Sequence, residues 1–133
     1  MLRLFGSVAA GVGRAAGLIA GRSGRPLSGA IVANGFVFVS GQSYAEGKDV
    51  EEQTRGVLDK IAALLDEAGT DLGHAVRCTV FMSDLSLRDR MNAVYRTYFP
   101  NDPPARAAVG CDLGSPSVFV EIDCVATLPD SAQ

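Results

Sequence analysis

The sequence predicts a single α+β domain, a β-sheet with two helices packed on one of its faces. Three observations carry that expectation. Of 133 residues, 47% are apolar and 20% charged, the length and balance of one globular core. An Asn-Gly pair between two apolar runs is followed by a long stretch of helical periodicity. After residue 30 no internal repeat appears, and the order is strand, strand, helix, strand, helix, strand, strand.

The first strands lie in Ala30 to Ser40. Ile31-Val32 and Phe36-Val37-Phe38-Val39 flank Asn34-Gly35, and both turn residues tolerate the positive φ that a two-residue hairpin requires. The second of these strands is apolar on both faces, which predicts cover on both sides by helices or another subunit. Asp49 to Ala68 is a helix. Val50, Val57, Leu58, Ile61, Leu64, Leu65 and Ala68 recur every three or four residues, Asp49 with Glu52 resembles a capping box, and Gly69 ends it. Ala75 to Met82 follows as a strand, with Val76, Cys78, Val80 and Met82 on one face and Arg77 and Thr79 on the other. A second helix runs from about Leu87 to Phe99. Ser86 with Asp89 caps it, Leu87, Met91, Val94, Tyr95 and Tyr98 form its stripe, and Pro100 stops it. Ala105 to Val109 and Ser117 to Thr127 are the last strands, joined by the turn-rich Cys111-Asp112-Leu113-Gly114-Ser115-Pro116 and read as a hairpin.

The domain is expected over 25–128, with an N-terminal arm over 1–24 and a tail over 129–133. Met1 to Ala45 lacks Asp and Glu but holds Arg3, Arg14, Arg22 and Arg25. That is the composition of an ordinary arm or of an organellar transit segment. The cytoplasm is the expected compartment and the mitochondrial matrix the alternative. No apolar run approaches the roughly 20 residues of a membrane span, and the glycines around Gly11-Val12-Gly13 lack the context of a dinucleotide fingerprint. A net charge of −3 provides no general attraction for a phosphate backbone, so no nucleic-acid partner is expected. Cys78, Cys111 and Cys124 form no CxxC pair and read as reduced core or near-core thiols. With His74 the sole histidine, no metal site and no catalytic triad are expected. His74 itself reads as solvent-facing.

Chemistry concentrates near the end of the chain. Alternation in the last strand puts Val118, Val120, Ile122, Cys124 and Ala126 on the core face and Phe119, Glu121, Asp123 and Val125 on the other. Glu121 therefore sits mid-strand, where a carboxylate needs a partner or a wet cleft. Arg106 is the candidate partner, because Ala108 and Gly110 share its face and leave room beside the guanidinium. A guanidinium fork can hold an α-carboxylate, and Glu121 can deprotonate a water that adds to a C=N carbon. From these two residues alone, a structural ion pair across strands or between subunits is the stronger reading. Ser40 reads as a strand-end hydrogen-bonder rather than a nucleophile, and Asn92 as a helix-face contact, with a site-lining role as the alternative.

A resemblance shifts that balance. Pro104-Ala105-Arg106-Ala107-Ala108-Val109 followed by Val120-Glu121-Ile122 resembles the signature of the RidA/YjgF family of reactive intermediate deaminases. Asn34 to Gln42, Thr79 to Leu85 and Asn92 to Phe99 match the same pattern in order and spacing, over roughly residues 24–128. The resemblance implies a chorismate-mutase-like mixed β-sheet with two helices on one face, assembled as a homotrimer with clefts between subunits. It implies Arg106 as the carboxylate clamp, Glu121 as the water-activating residue, and Ser40 and Gly41 as contacts near the substrate's other end. The implied reaction is hydrolysis of 2-aminoacrylate or related imino acids to 2-keto acids and ammonia, with no cofactor. Leu27 and Ala108 stand where the family's deaminases carry a tyrosine and a cysteine, so the cleft wall is more apolar. Asp112 and Gly114 also depart from the consensus. A non-catalytic trimer binding a carboxylate metabolite is the alternative, and RNA cleavage the weakest reading.

Overall fold

The computed structural model describes residues 16–19 and 25–129. Strands β1 (Ala16–Ile19), β2 (Ala30–Ala33), β3 (Phe36–Ser43), β4 (Ala75–Met82), β5 (Ala105–Gly110) and β6 (Val120–Thr127) form one sheet in the order β1-β2-β3-β6-β4-β5. Helices α1 (Val50–Ala68) and α2 (Arg88–Tyr98) complete the α+β domain. The rest of the arm over 1–24 lies outside the described residues, as does the tail beyond Pro129. β1 is an addition to the expected elements, pairing antiparallel with β2 from Ala16↔Ala33 to Ile19↔Ala30.

Both strong local signals place their elements. Asn34 and Gly35 take φ of 55° and 82°, turning the chain so that Ala33 pairs with Phe36. Asp49 caps α1 by accepting from the Glu52 amide at 2.8 Å, while the Glu52 carboxylate accepts from the Lys48 amide at 2.9 Å. Gly69 ends the helix in the left-handed region, φ 94°.

The core is one layer between the helices and one face of the sheet. Val37 and Val39 of β3, Cys78, Val80 and Met82 of β4, and Val120, Ile122, Cys124 and Ala126 of β6 pack beneath Leu58, Ile61 and Leu65 of α1 and Met91 and Tyr95 of α2. α1 and α2 are tied by the Arg90–Glu51 fork, two hydrogen bonds of 2.8 Å, and by the Tyr98 hydroxyl donating to Asp59 at 2.9 Å. Arg90 holds the Glu51 carboxyl below its ordinary range. Among the described residues no helix covers the opposite face, and Phe36 and Phe38 stand 38% and 45% exposed there.

Several expectations are corrected. β5 and β6 are not a hairpin: β5 runs parallel to β4 at the sheet edge, and β6 lies antiparallel between β3 and β4. The loop over 111–119 therefore crosses the end of β4 instead of reversing beside β5, and β6 begins at Val120 rather than Ser117. In β4 the register with β6 shifts between Ala75 and Arg77. That bulge buries Ala75 and turns Val76 outward, 43% exposed, against the expected alternation. α2 has no side-chain cap. Asp84 instead accepts from the Ser86 amide at 2.9 Å, opening the short 3-10 turn Leu85–Leu87 that leads into the helix. Cys111 is exposed, while Cys78 and Cys124 are buried as expected.

Candidate functional site

Arg106 projects from β5 toward the helices. In the parallel register it lies opposite Cys78, which in turn lies opposite Cys124 of β6, so the three form one row across the core face of the sheet. The row ends at the sheet edge, and there the guanidinium meets α2. Its Cζ lies 4.7 Å from the centre of the Tyr95 ring, and its Nη1 donates to Asn92 Oδ1 at 2.7 Å. Stacking and a short hydrogen bond fix the plane of the fork. Burial pushes the Tyr95 phenol well up, so the ring beneath the cation stays neutral. The Tyr95 hydroxyl is buried without a hydrogen-bond partner among the described residues. Cys124 is held well above its ordinary pKa by its hydrogen bond with Cys78 and by burial, so it remains a thiol. Ala108, opposite Val80 and half-buried, leaves the floor beside Arg106 short and apolar.

Glu121 leaves the sheet on the other side. It lies opposite Phe81 of β4 and Ser43 of β3, half-buried between Val120 and Ile122, which point into the core. Gly41 is its close neighbour: a methyl group there would collide with the Glu121 carboxylate. Glycine at 41 thus leaves the space that the Glu121 carboxylate occupies, and it takes no positive φ.

The expectation that Arg106 and Glu121 share a face within one chain is overturned. It rested on the hairpin, in which the two strands would be neighbours. With β4 between them the residues are two inter-strand spacings apart across the sheet and three residues apart along it, about 14 Å in all, and on opposite faces. A structural ion pair across strands of one chain fails for the same reason, and no carboxylate among the described residues of the chain pairs with Arg106.

Ser40 is a strand-end hydrogen-bonder, its hydroxyl donating to the Ser28 carbonyl at 2.6 Å and its amide to the Gly29 carbonyl at 2.9 Å. This pins the segment over 25–29 beside the end of β3. Leu27, 46% exposed, lines a cavity there together with Gly41. Two side chains that hold Arg106 carry only a weak signal in the sequence. Asn92, whose position on the helix suits either a helix-face contact or a site-lining role, is the partner of Arg106, and Tyr95, part of the core stripe, is its platform. Their spacing of three on α2 puts both on the face toward β5, a signal usable only once the neighbour of β5 is known.

Comparison with known proteins agrees with this architecture. The family model described as Endoribonuclease L-PSP matches residues 21–128. A RutC family protein of Pyrococcus abyssi is 37% identical over 108 residues, covering 76% of this chain and 85% of the relative. One from Synechocystis is 39% identical over 113 residues, covering 78% and 87%. Among solved structures, a YjgF family member from Neisseria meningitidis superposes with a TM-score of 0.82 at 31% identity, covering 87% of this chain and 97% of that one. Another from Mycobacterium tuberculosis gives 0.78 at 27% identity, covering 85% and 99%. A family match over most of the chain, relatives above one-third identity and the shared fold place this chain in the RidA/YjgF family.

Proposed function

We propose that this protein hydrolyses small enamine and imine acids of the 2-aminoacrylate type to 2-keto acids and ammonia, in clefts between the subunits of a homotrimer. The observation that carries this reading is Arg106, laid on Tyr95 and fixed by Asn92, with no carboxylate among the described residues of its own chain to neutralise it. A guanidinium held this way is a receptor for a planar carboxylate, which it grips through two parallel hydrogen bonds.

Glu121 supplies the second half from a neighbouring protomer. With the substrate carboxylate on Arg106, a water held by Glu121 adds to the C=N carbon as the Glu121 carboxylate takes its proton. That proton passes to the nitrogen to complete the carbinolamine; the carboxylate then takes the hydroxyl proton and delivers it to the leaving nitrogen as the C=O forms and the C–N bond breaks, giving the keto acid and ammonia. An enamine enters after tautomerising to the imine. The C=N carbon is already electrophilic, so the chemistry calls for positioning and proton transfer alone. The exposed Phe36 and Phe38 on the helix-free face support its burial against other copies. RNA cleavage, which the name of the matched family suggests, finds less support in a chain of net charge −3.

A non-catalytic carboxylate binder is the second reading, favoured by Leu27 and Ala108, which leave the cleft wall apolar. One assay separates the two. 2-Aminoacrylate is generated by a serine dehydratase and its decay followed with and without this protein. Acceleration that disappears in Arg106→Ala is expected, and a decay no faster than the spontaneous one leaves only the binder.

A further inference from the structure

β3 is longer than its partner. β2 pairs only with Phe36 to Val39, and beyond them the edge of β3 is met by the segment over 25–29 through the Ser40 bonds to Ser28 and Gly29. Between that segment, the end of β3 and α1 lies a cavity of about 380 Å³, within the size range of small-molecule sites. Its wall includes Arg25, Leu27, Gly41, Gln42, Lys60 and Leu64, and none of its lining residues is acidic.

Two features give the cavity a chemical preference. Lys60 is held in place, its Nζ donating to the Ser43 carbonyl at 2.7 Å and lying 5.5 Å from the Tyr44 ring centre. An ammonium has three donors, so two remain for a ligand, and fixing the long side chain in advance lowers the cost of using them. Arg25, exposed like Lys60, adds a second cation on the same wall, and together they give the cavity a local positive field. The second feature is Gly41, which both lines the cavity and touches the Glu121 carboxylate. The Glu121 carboxylate is not itself part of the cavity wall, and a ligand reacting at Glu121 would reach the cavity around Gly41. Leu27 and Leu64 are suited to the methylenes of such a ligand, and the cations to an acid at its end.

We propose that this cavity is the subsite for the far end of the substrate, and that it selects 2-imino acids whose side chain ends in a second carboxylate. Arg25 and Lys60 are its countercharges. This rests on the deaminase reading for the reaction but not for the binding, so the test has two arms.

The first arm is calorimetric titration of the full chain with 2-oxobutyrate and 2-oxoglutarate, stable keto acids with one and two carboxylates. 2-Oxoglutarate is expected to bind roughly tenfold tighter, as a charge-assisted contact gives, with an advantage that shrinks as salt is added. Arg25→Gln combined with Lys60→Gln should abolish the preference and leave 2-oxobutyrate affinity unchanged, whereas Arg106→Ala should weaken both ligands. Equal affinities in the wild type, a preference that survives in the double variant, or no binding of 2-oxoglutarate overturns the proposal. The second arm compares acceleration of keto-acid formation from the imines that an amino-acid oxidase releases from glutamate and from 2-aminobutyrate. Faster turnover of the glutamate imine, lost in the double variant, supports the subsite, and equal turnover overturns it. Hydrolysis of neither imine alongside an intact keto-acid preference refutes the deaminase reading and upholds the subsite.

Discussion

Arg106 and Glu121 leave the sheet on opposite faces, about 14 Å apart, so a cleft using both must take one from each of two protomers. This predicts complementation between two dead variants. Arg106→Ala removes the clamp and Glu121→Gln removes the base, and each homo-oligomer should be inactive toward 2-aminoacrylate. In an oligomer assembled at random from equal amounts of the two, a cleft is intact when its Arg106 donor is the Glu121→Gln chain and its Glu121 donor the Arg106→Ala chain. Each condition holds half the time, so about one quarter of clefts are restored, whether the assembly is a trimer or another closed ring. Co-refolding the variants, confirming mixed oligomers by native mass spectrometry and following enamine decay should return about 25% of the wild-type rate. Mixed oligomers no more active than their parents would refute the shared cleft and, with it, the reading of the two faces.

Gly41→Ala drives a methyl into the Glu121 carboxylate. Because the obstructed group is the end of a flexible side chain, melting should shift by only a few degrees, while turnover should fall about tenfold or more as the base moves. Gln53 is buried, donating to the carbonyls of Gly47 and Ser117 at 3.1 and 2.7 Å and accepting from the Phe119 amide at 2.8 Å. Gln53→Leu should therefore cost about 2–4 kcal/mol in urea unfolding, and a loss under about 1 kcal/mol would show that water replaces those bonds. The carboxyl of Glu51 is lowered by Arg90, so what the pair adds to stability is present above the ordinary carboxylate pKa and lost as pH falls through the lowered value. The melting difference between wild type and Glu51→Gln should be small at neutral pH and close in acid, and a gap that persists there would assign it to packing.

Local signals placed the elements; they did not place the neighbours. Asn34-Gly35 and the Asp49-to-Gly69 helix are decided within a few residues, and the structure keeps both. Which strand lies beside β5 is decided by contacts far apart in sequence. The turn residues over 111–119 suit a hairpin, yet β6 carries the larger core side chains, buried at every second position beneath α1, whereas β5 is largely exposed, so the centre of the sheet falls to β6. Alternation within β6 correctly put Glu121 opposite the core face. Alternation within β5 correctly grouped Arg106 with Ala108, but a strand's own parity cannot say which face of the sheet is meant without the register to Cys78. Asn92 and Tyr95 were only weakly signalled for the same reason, and the Val76 bulge was hidden because a register shift has no signature in a strictly alternating run.

The central position of β6 also governs how the chain can acquire its shape. The sheet order joins β1-β2-β3 to β5-β4 through β6 alone, so the last described strand to leave the ribosome is the seam between two half-sheets. Until residue 127 is free, β3 and β4 each present an unpaired inner edge and an uncovered apolar stripe, the state in which a growing chain is most exposed to wrong partners. A chain that ends before Val120 thus leaves its two half-sheets unjoined.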